Sequence, residues 1–329
     1  MLKKIGIIVI LGILICGCSK KIEENKAVKP IKITFLKDWA GYGFFFIAEE
    51  KGFFRANNVK VELIKQNDSI SPVNLYKSGQ VDGLGTVIVD IILMNAQGIK
   101  TKIVYALDYS DSSDVIIANP KYKQISDLKG KRVSFAGVNT FSHLFVLRAI
   151  EMNGLDEKNV LFSNIKENEV LKNLEEGKID AGHTWPPTST EAIKKGYEIL
   201  ATGADVKGII VDFLAFNDDI IKQRPADVQA IVKSIFEAQK FFTENRNEAI
   251  DIIANNAAIS REDVESTLSG LRIPDLQENL RYLSDKPDKD TIHLMFDFIL
   301  NFYLNRGQIQ KKIEANSIFD NSFLKKIED

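Results

Sequence analysis

The reading of the fold turns on Asp38-Trp39-Ala40-Gly41-Tyr42-Gly43-Phe44-Phe45-Phe46-Ile47-Ala48-Glu49-Glu50-Lys51-Gly52-Phe53-Phe54 and on Val59-Lys60-Val61-Glu62-Leu63-Ile64 just beyond it. The apolar density over 44–51 predicts a helix, and Gly52, which tolerates a left-handed backbone, stops it. Residues 59–64 alternate apolar and polar with a period of two, the mark of a half-buried strand. On the other side, residues 31–36 (Ile-Lys-Ile-Thr-Phe-Leu) read as a strand as well. Strand, helix and strand in that order form a βα unit, and the chain repeats the theme.

Working outward, the pattern predicts a helix over 72–78 ending at Gly79, a strand over 81–85, a helix over 86–95 and a strand over 102–107. A strand over 114–118 leaves this first series. The second series has strands at 129–135, 160–165 and 179–183, with helices at 142–153, 167–176 and 191–195, the first and last stopped by Gly154 and Gly196. A strand over 209–216 then carries the chain back. Residues 226–305 are nearly all helical in pattern, with 229–245 and 290–305 the longest periodic stretches. The expected architecture is α/β and two-lobed, with a hinge near Ala118 and Phe216 and a helical C-terminal region. Lobe one takes residues 31–116 and 217–329, and lobe two takes 117–216.

The N-terminus belongs to neither lobe. Lys3 and Lys4 precede an apolar run over 5–15, whose 11 residues rise only about 16 Å as a helix. That is short of the roughly 30 Å of a bilayer core, so the run reads as the apolar part of a signal peptide spanning 1–17. Next comes Ile15-Cys16-Gly17-Cys18-Ser19, which resembles the bacterial lipobox. Gly17 is small where Ile15 is bulky, so Cys18 is the expected lipidation site. The polar, Lys- and Glu-rich residues 18–30 then form a tether between membrane and body.

Both cysteines lie in this leader, so the body has no thiol for a disulfide, a metal or a nucleophile. Without the first 17 residues and their two lysines, the formal charge moves from −2 to −4. Such a balance offers no basic field for nucleic acid. At 45% apolar and 27% charged, the 329-residue chain is ordinary globular protein, long enough for two cores. No Walker loop, HExxH or Ser-His-Asp sequence motif occurs, and no cofactor is expected. His143 and His183 lack an i,i+4 or cysteine companion, so no metal site is expected either.

The stretch 38–54 resembles the first βα unit of the nitrate/taurine/sulfonate-type substrate-binding proteins of ABC importers, a family that also carries thiamine-pyrimidine precursors. Its helix end before a V-x-V-x-L strand is matched here by Val59 to Leu63. Asp127-Leu128-Lys129-Gly130-Lys131-Arg132-Val133, Glu176-Gly177-Lys178-Ile179-Asp180-Ala181 and Trp185-Pro186-Pro187 match further family motifs in the right order, over residues 31–225. The resemblance implies the two-lobed periplasmic binding protein fold, type II-like. It also implies an extracytoplasmic, membrane-anchored monomer that closes on a small molecule, delivers it to a permease and its ATPase, and catalyses nothing. Two alternatives share the fold. A thiamine-pyrimidine synthase would need a cysteine-rich motif and iron chemistry, and a ligand-sensing receptor domain would need a spanning segment toward a signalling domain.

In such folds ligands sit at strand ends, where helix N-termini offer free N–H groups. The loops at 36–42, 85–86, 137–143 and 184–188 occupy those junctions. They supply Asp38, Trp39, Tyr42, Thr86, Thr140, Ser142, His143 and Trp185 as candidate ligand contacts. Trp39 and Trp185 are the only tryptophans, one in each lobe, and are placed to stack on ligand. Asp212 is a charge inside the apolar run Ile210-Val211-Asp212-Phe213-Leu214, and a carboxylate there needs a partner. In taurine-type relatives the matching Asp meets the ligand's amine. The charged members of this set, Asp38 and Asp212, are acidic, which favours a neutral, cationic or zwitterionic organic ligand such as an aminosulfonate or a pyrimidine.

Overall fold

The computed structural model describes residues 29–206, 209–284 and 292–328. The signal peptide, Cys18 and the tether up to residue 28 lie outside the described residues. In chain order the strands are β1 (Ile31–Leu36), β2 (Val61–Gln66), β3 (Gly83–Val87), β4 (Thr101–Ser110), β5 (Val115–Ala118), β6 (Arg132–Phe135), β7 (Leu161–Asn164), β8 (Ala181–Thr184), β9 (Glu198–Thr202), β10 (Val211–Asn217) and β11 (Leu271–Arg272). They form two mixed sheets, ordered β11-β4-β10-β3-β1-β2 and β7-β6-β8-β5-β9. In the first, β1 runs parallel to β2 and β3, while β10 is antiparallel to both β3 and β4. In the second, β6 is parallel to β7 and β8, and β5 is antiparallel to β8 and β9. The architecture is the α/β, two-lobed one expected.

The deciding stretch folds as its pattern predicts. Gly43–Glu50 is a helix whose Phe44, Phe45, Phe46, Ile47 and Ala48 are all buried. Phe45 stacks on Phe35 of β1 at 4.7 Å, and Phe44 meets Phe242 of the helix Pro225–Glu244 edge to face at 5.7 Å. The phenylalanine run therefore fills the layer between the first sheet and the helical tail, where three aromatic rings bury a large apolar area. Gly52 ends the helix at φ 74°, the left-handed conformation that only glycine adopts without strain.

The two crossings fall elsewhere than the proposed boundaries at 116/117 and 216/217. Strand β5 pairs only within the second sheet, and β10 lies in the middle of the first. The chain thus leaves the first lobe over 111–114 and re-enters it ahead of Val211, so the connectors precede both strands. An apolar strand is covered on both faces wherever it lies, so its sequence does not say which sheet it joins. Strands β9 and β11 carry no strong pattern and were not anticipated. Both are edge strands, β9 with Ile199 exposed and β11 only two residues long.

The helix Ile292–Asn305 departs from a simple assignment to lobe one. It packs on the first-lobe helix Ile88–Ala96, yet Arg148 of the second lobe lies 5.1 Å over the Phe298 ring. Just beyond its end, Arg306 pairs with Glu157 at 2.7 Å. Among the described residues, no helix is long and apolar enough to cross a membrane.

Candidate functional site

The ends of β1 and β3 in one lobe face the helix after β6 and the end of β8 in the other. Between them lies a cavity lined by Trp39, Thr86, Asp90, Asp114, Phe141, Trp185 and Asp212, among others. The space open to the centre of a water molecule is about 30 Å³, room for one or two waters, because the lobes are closed on each other. The Trp39 and Trp185 rings meet edge to face at 5.9 Å across the gap, and Phe141 stacks on Trp185 at 6.0 Å. At the rim, Lys166 pairs with Asp68 at 3.1 Å, and the Ser69 N–H donates to Glu167 Oε1 at 2.9 Å. On a second rim, Lys194 meets Glu262 at 2.7 Å.

The lobe-one wall carries a pair of carboxyl groups. Asp108 of β4 and Asp212 of β10 are register partners on neighbouring antiparallel strands, so their side chains share a face. Both are buried. Trp39 Nε1–H donates to Asp108 Oδ2 at 3.3 Å, and the Tyr42 hydroxyl donates to Asp212 Oδ1. Burial pushes Asp108 up to about 7, and the charge of Asp114 adds to the rise. Asp212 is raised further by burial and by Asp108 beside it. Two carboxyls so close and so dry do not both ionise, and the pair retains a proton at acidic and near-neutral pH. Gly41 makes room for this arrangement, since a Cβ there would lie 2.6 Å from both the Asp108 carboxyl carbon and Trp39 Nε1. Thr86 Oγ1 donates to Asp90 Oδ2 at 2.8 Å, and burial raises Asp90 to about 6.

The lobe-two wall is built differently. Asp114 immediately precedes β5, and its Oδ1 lies 2.9 Å from His183 Nε2 of β8. His183 Nδ1 lies 2.8 Å from Ser142 Oγ, which in turn accepts the Ala136 N–H at 3.0 Å. Serine, histidine and aspartate are thus linked in a row, yet Ser142 is wholly buried and does not line the cavity. The row is a brace that holds Asp114 rather than an exposed nucleophile. Asp114 Oδ2 has no hydrogen-bond partner.

The sequence profile of the NMT1/THI5-like family matches residues 39–249, a span that holds every cavity-lining residue named above. The chain belongs to the NMT1/THI5-like family. Among its relatives is a Bacillus subtilis protein named for aliphatic sulfonate binding, 24% identical over 98% of this chain and 96% of that one. Another is a 4-amino-5-hydroxymethyl-2-methylpyrimidine phosphate synthase of Uromyces fabae, 24% identical over 62% of this chain and 64% of the synthase. In three dimensions the chain superposes on the periplasmic aliphatic sulphonate binding protein SsuA from Escherichia coli with a TM-score of 0.71, at 18% identity, over 90% of this chain and 99% of that one. This likeness establishes the periplasmic binding protein fold. Binding proteins and an enzyme both occur among these relatives.

Of the residues singled out from sequence in this NMT1/THI5-like chain, Trp39, Thr86, Trp185 and Asp212 line the cavity, and Tyr42 stands behind Asp212. Asp38 does not line it; burial raises this carboxyl to about 6, and the charge of Glu167 adds to the rise. Ser142 lies behind the wall, in the brace. Thr140 caps the helix Phe141–Met152, accepting the His143 N–H at 3.3 Å, and faces a neighbouring pocket. His143 packs on Phe135 at 4.3 Å and accepts the Asn139 N–H at 3.2 Å, and burial lowers it to about 4. Asp90, Asp108, Asp114 and Phe141 were missed. Asp108 and Asp114 carry the signal that identified Asp212, a charge beside an apolar run, but Asp108 falls just past the strand expected over 102–107 and Asp114 at the start of the one expected over 114–118, where an exposed charge is ordinary.

Proposed function

We propose that this chain is the substrate-binding subunit of an ABC importer, lipid-anchored through Cys18 on the outer side of the membrane. In this reading it works as a monomer, captures a small organic molecule between its lobes and passes it to a permease and its ATPase. The observation that supports it best is the cavity between lobes, walled by Trp39 from one side and Trp185 from the other. A cleft with aromatic faces and few polar groups is what a small-molecule site requires. The ligand's body would lie between the rings, and its donors would meet the carboxyl groups. That lining suits a pyrimidine-like ring or the amine of an aminosulfonate; an aminosulfonate's acid group would have only helix N-termini to meet it. Catalysis is not part of the reading, since the braced Ser142 is turned away from the cavity.

The two tryptophans make the test simple, because they are the only ones in the chain. Intrinsic fluorescence should change in a saturable way on titration with a bound solute, and a Trp39→Phe variant should lose much of that change. A solute that binds by calorimetry with no fluorescence response would place its site elsewhere. For the anchor, Cys18→Ala should abolish metabolic lipid labelling. Labelling that persists in Cys18→Ala but disappears in Cys16→Ala would reassign the site.

A further inference from the structure

The capture reading leaves open what charge the cleft is built for. We propose that it takes an organic cation, with a protonated amine or amidinium nitrogen docked on Asp114 Oδ2 and the ligand's body against Trp39 and Trp185. This rests on the capture reading and deepens it.

The brace behind Asp114 carries the argument. Ser142 Oγ accepts the Ala136 N–H and is bonded to His183 Nδ1. A carboxylate only accepts, so His183 Nε2–H donates to Asp114 Oδ1. Every polar atom in the row is satisfied except one. Asp114 is 1% exposed, its Oδ2 has no partner, and the residue lines the cavity. A buried carboxylate oxygen without a donor is costly unless something supplies one.

Among the described residues, no lysine or arginine lines the cavity, and Lys166 at its rim is engaged by Asp68. The remaining charge-bearing groups on the walls, Asp90 and Asp212, are acidic, and Asp108 stands behind Asp212. An anion entering here would meet carboxyl groups on both walls, and like charges so placed are a barrier to the wrong ligand. A cation gains instead from the aromatic faces, since Trp39, Phe141 and Trp185 present electron-rich rings beside the bare oxygen.

The test compares matched probes on the purified protein by thermal shift and calorimetry: benzamidinium and benzylammonium as cations, benzyl alcohol as neutral, benzenesulfonate as anion. The cations should bind and benzenesulfonate should not. Asp114→Asn keeps the shape and the acceptor for His183 but turns an N–H₂ toward the cavity, so cation affinity should fall at least about tenfold. Equal binding of benzyl alcohol or benzenesulfonate, or cation affinity unchanged in a folded Asp114→Asn protein, would overturn the charge assignment while leaving capture intact. Silence of all four probes would remove capture by this cleft, and the charge assignment with it.

Discussion

The two walls of the cleft hold buried carboxyl groups in opposite ways. On the lobe-one side, Asp108 and Asp212 sit opposite one another on adjacent strands, are met by Trp39 and Tyr42, and hold a proton between them. On the lobe-two side, Asp114 lines the cavity alone, held on one oxygen by His183 and without a partner on the other. The difference teaches how one fold separates structure from recognition. A carboxyl pair that shares a proton spreads one charge over two groups already met by an indole and a phenol, whereas the braced Asp114 carboxylate keeps an oxygen with no donor.

The largest expected effect comes from removing the rings that complete the two walls. Trp185→Ala should weaken binding of an identified ligand by about 2 kcal/mol, roughly thirtyfold. Trp39→Ala should cost more, because it also strips Asp108 of its indole donor. Calorimetry on both variants, after a check of intact melting, reads this directly. Near-parental affinity in both would mean that the tryptophans only pack the closed lobes.

A smaller effect separates the walls by pH. The unfolded chain releases aspartate protons near pH 4, whereas burial holds Asp108 up to about 7. Between those values the folded protein carries more protons than the unfolded chain, so its stability falls as pH rises through the window. Each retained proton gives a slope of up to about 1.4 kcal/mol per pH unit. Asp108→Asn should flatten the dependence of Tm on pH between 4 and 7 relative to the parent. Identical slopes would mean that the pair is not protonated in the folded state.

The same contrast explains what the sequence could reveal. The helix over 44–51 and its strands were legible because Phe44, Phe45 and Phe46 next to Gly52 leave few alternatives to a buried helix with a sharp stop. Asp212 was legible because a charge in the middle of Ile210–Leu214 violates the local pattern. Asp114 violates nothing, since it immediately precedes a strand; only the fold, by bringing β8 beside β5, puts His183 behind it. The placement of Ser142 was hidden for a related reason. An N-terminal helix hydroxyl looks the same in sequence whether it faces a cleft or a histidine behind it. The strands β5 and β10 were found as strands, but the sheets they join depend on contacts far apart in the chain.

The central claim is capture by closure of two lobes, and small-angle scattering tests it most directly. The protein should show a larger radius of gyration without solute than with a saturating solute whose binding calorimetry has confirmed. The solute-bound curve should match the closed arrangement, with Trp39 and Trp185 in contact and Lys166 on Asp68. An unchanged radius across that titration, with the bound solute located outside the cleft, would contradict the account.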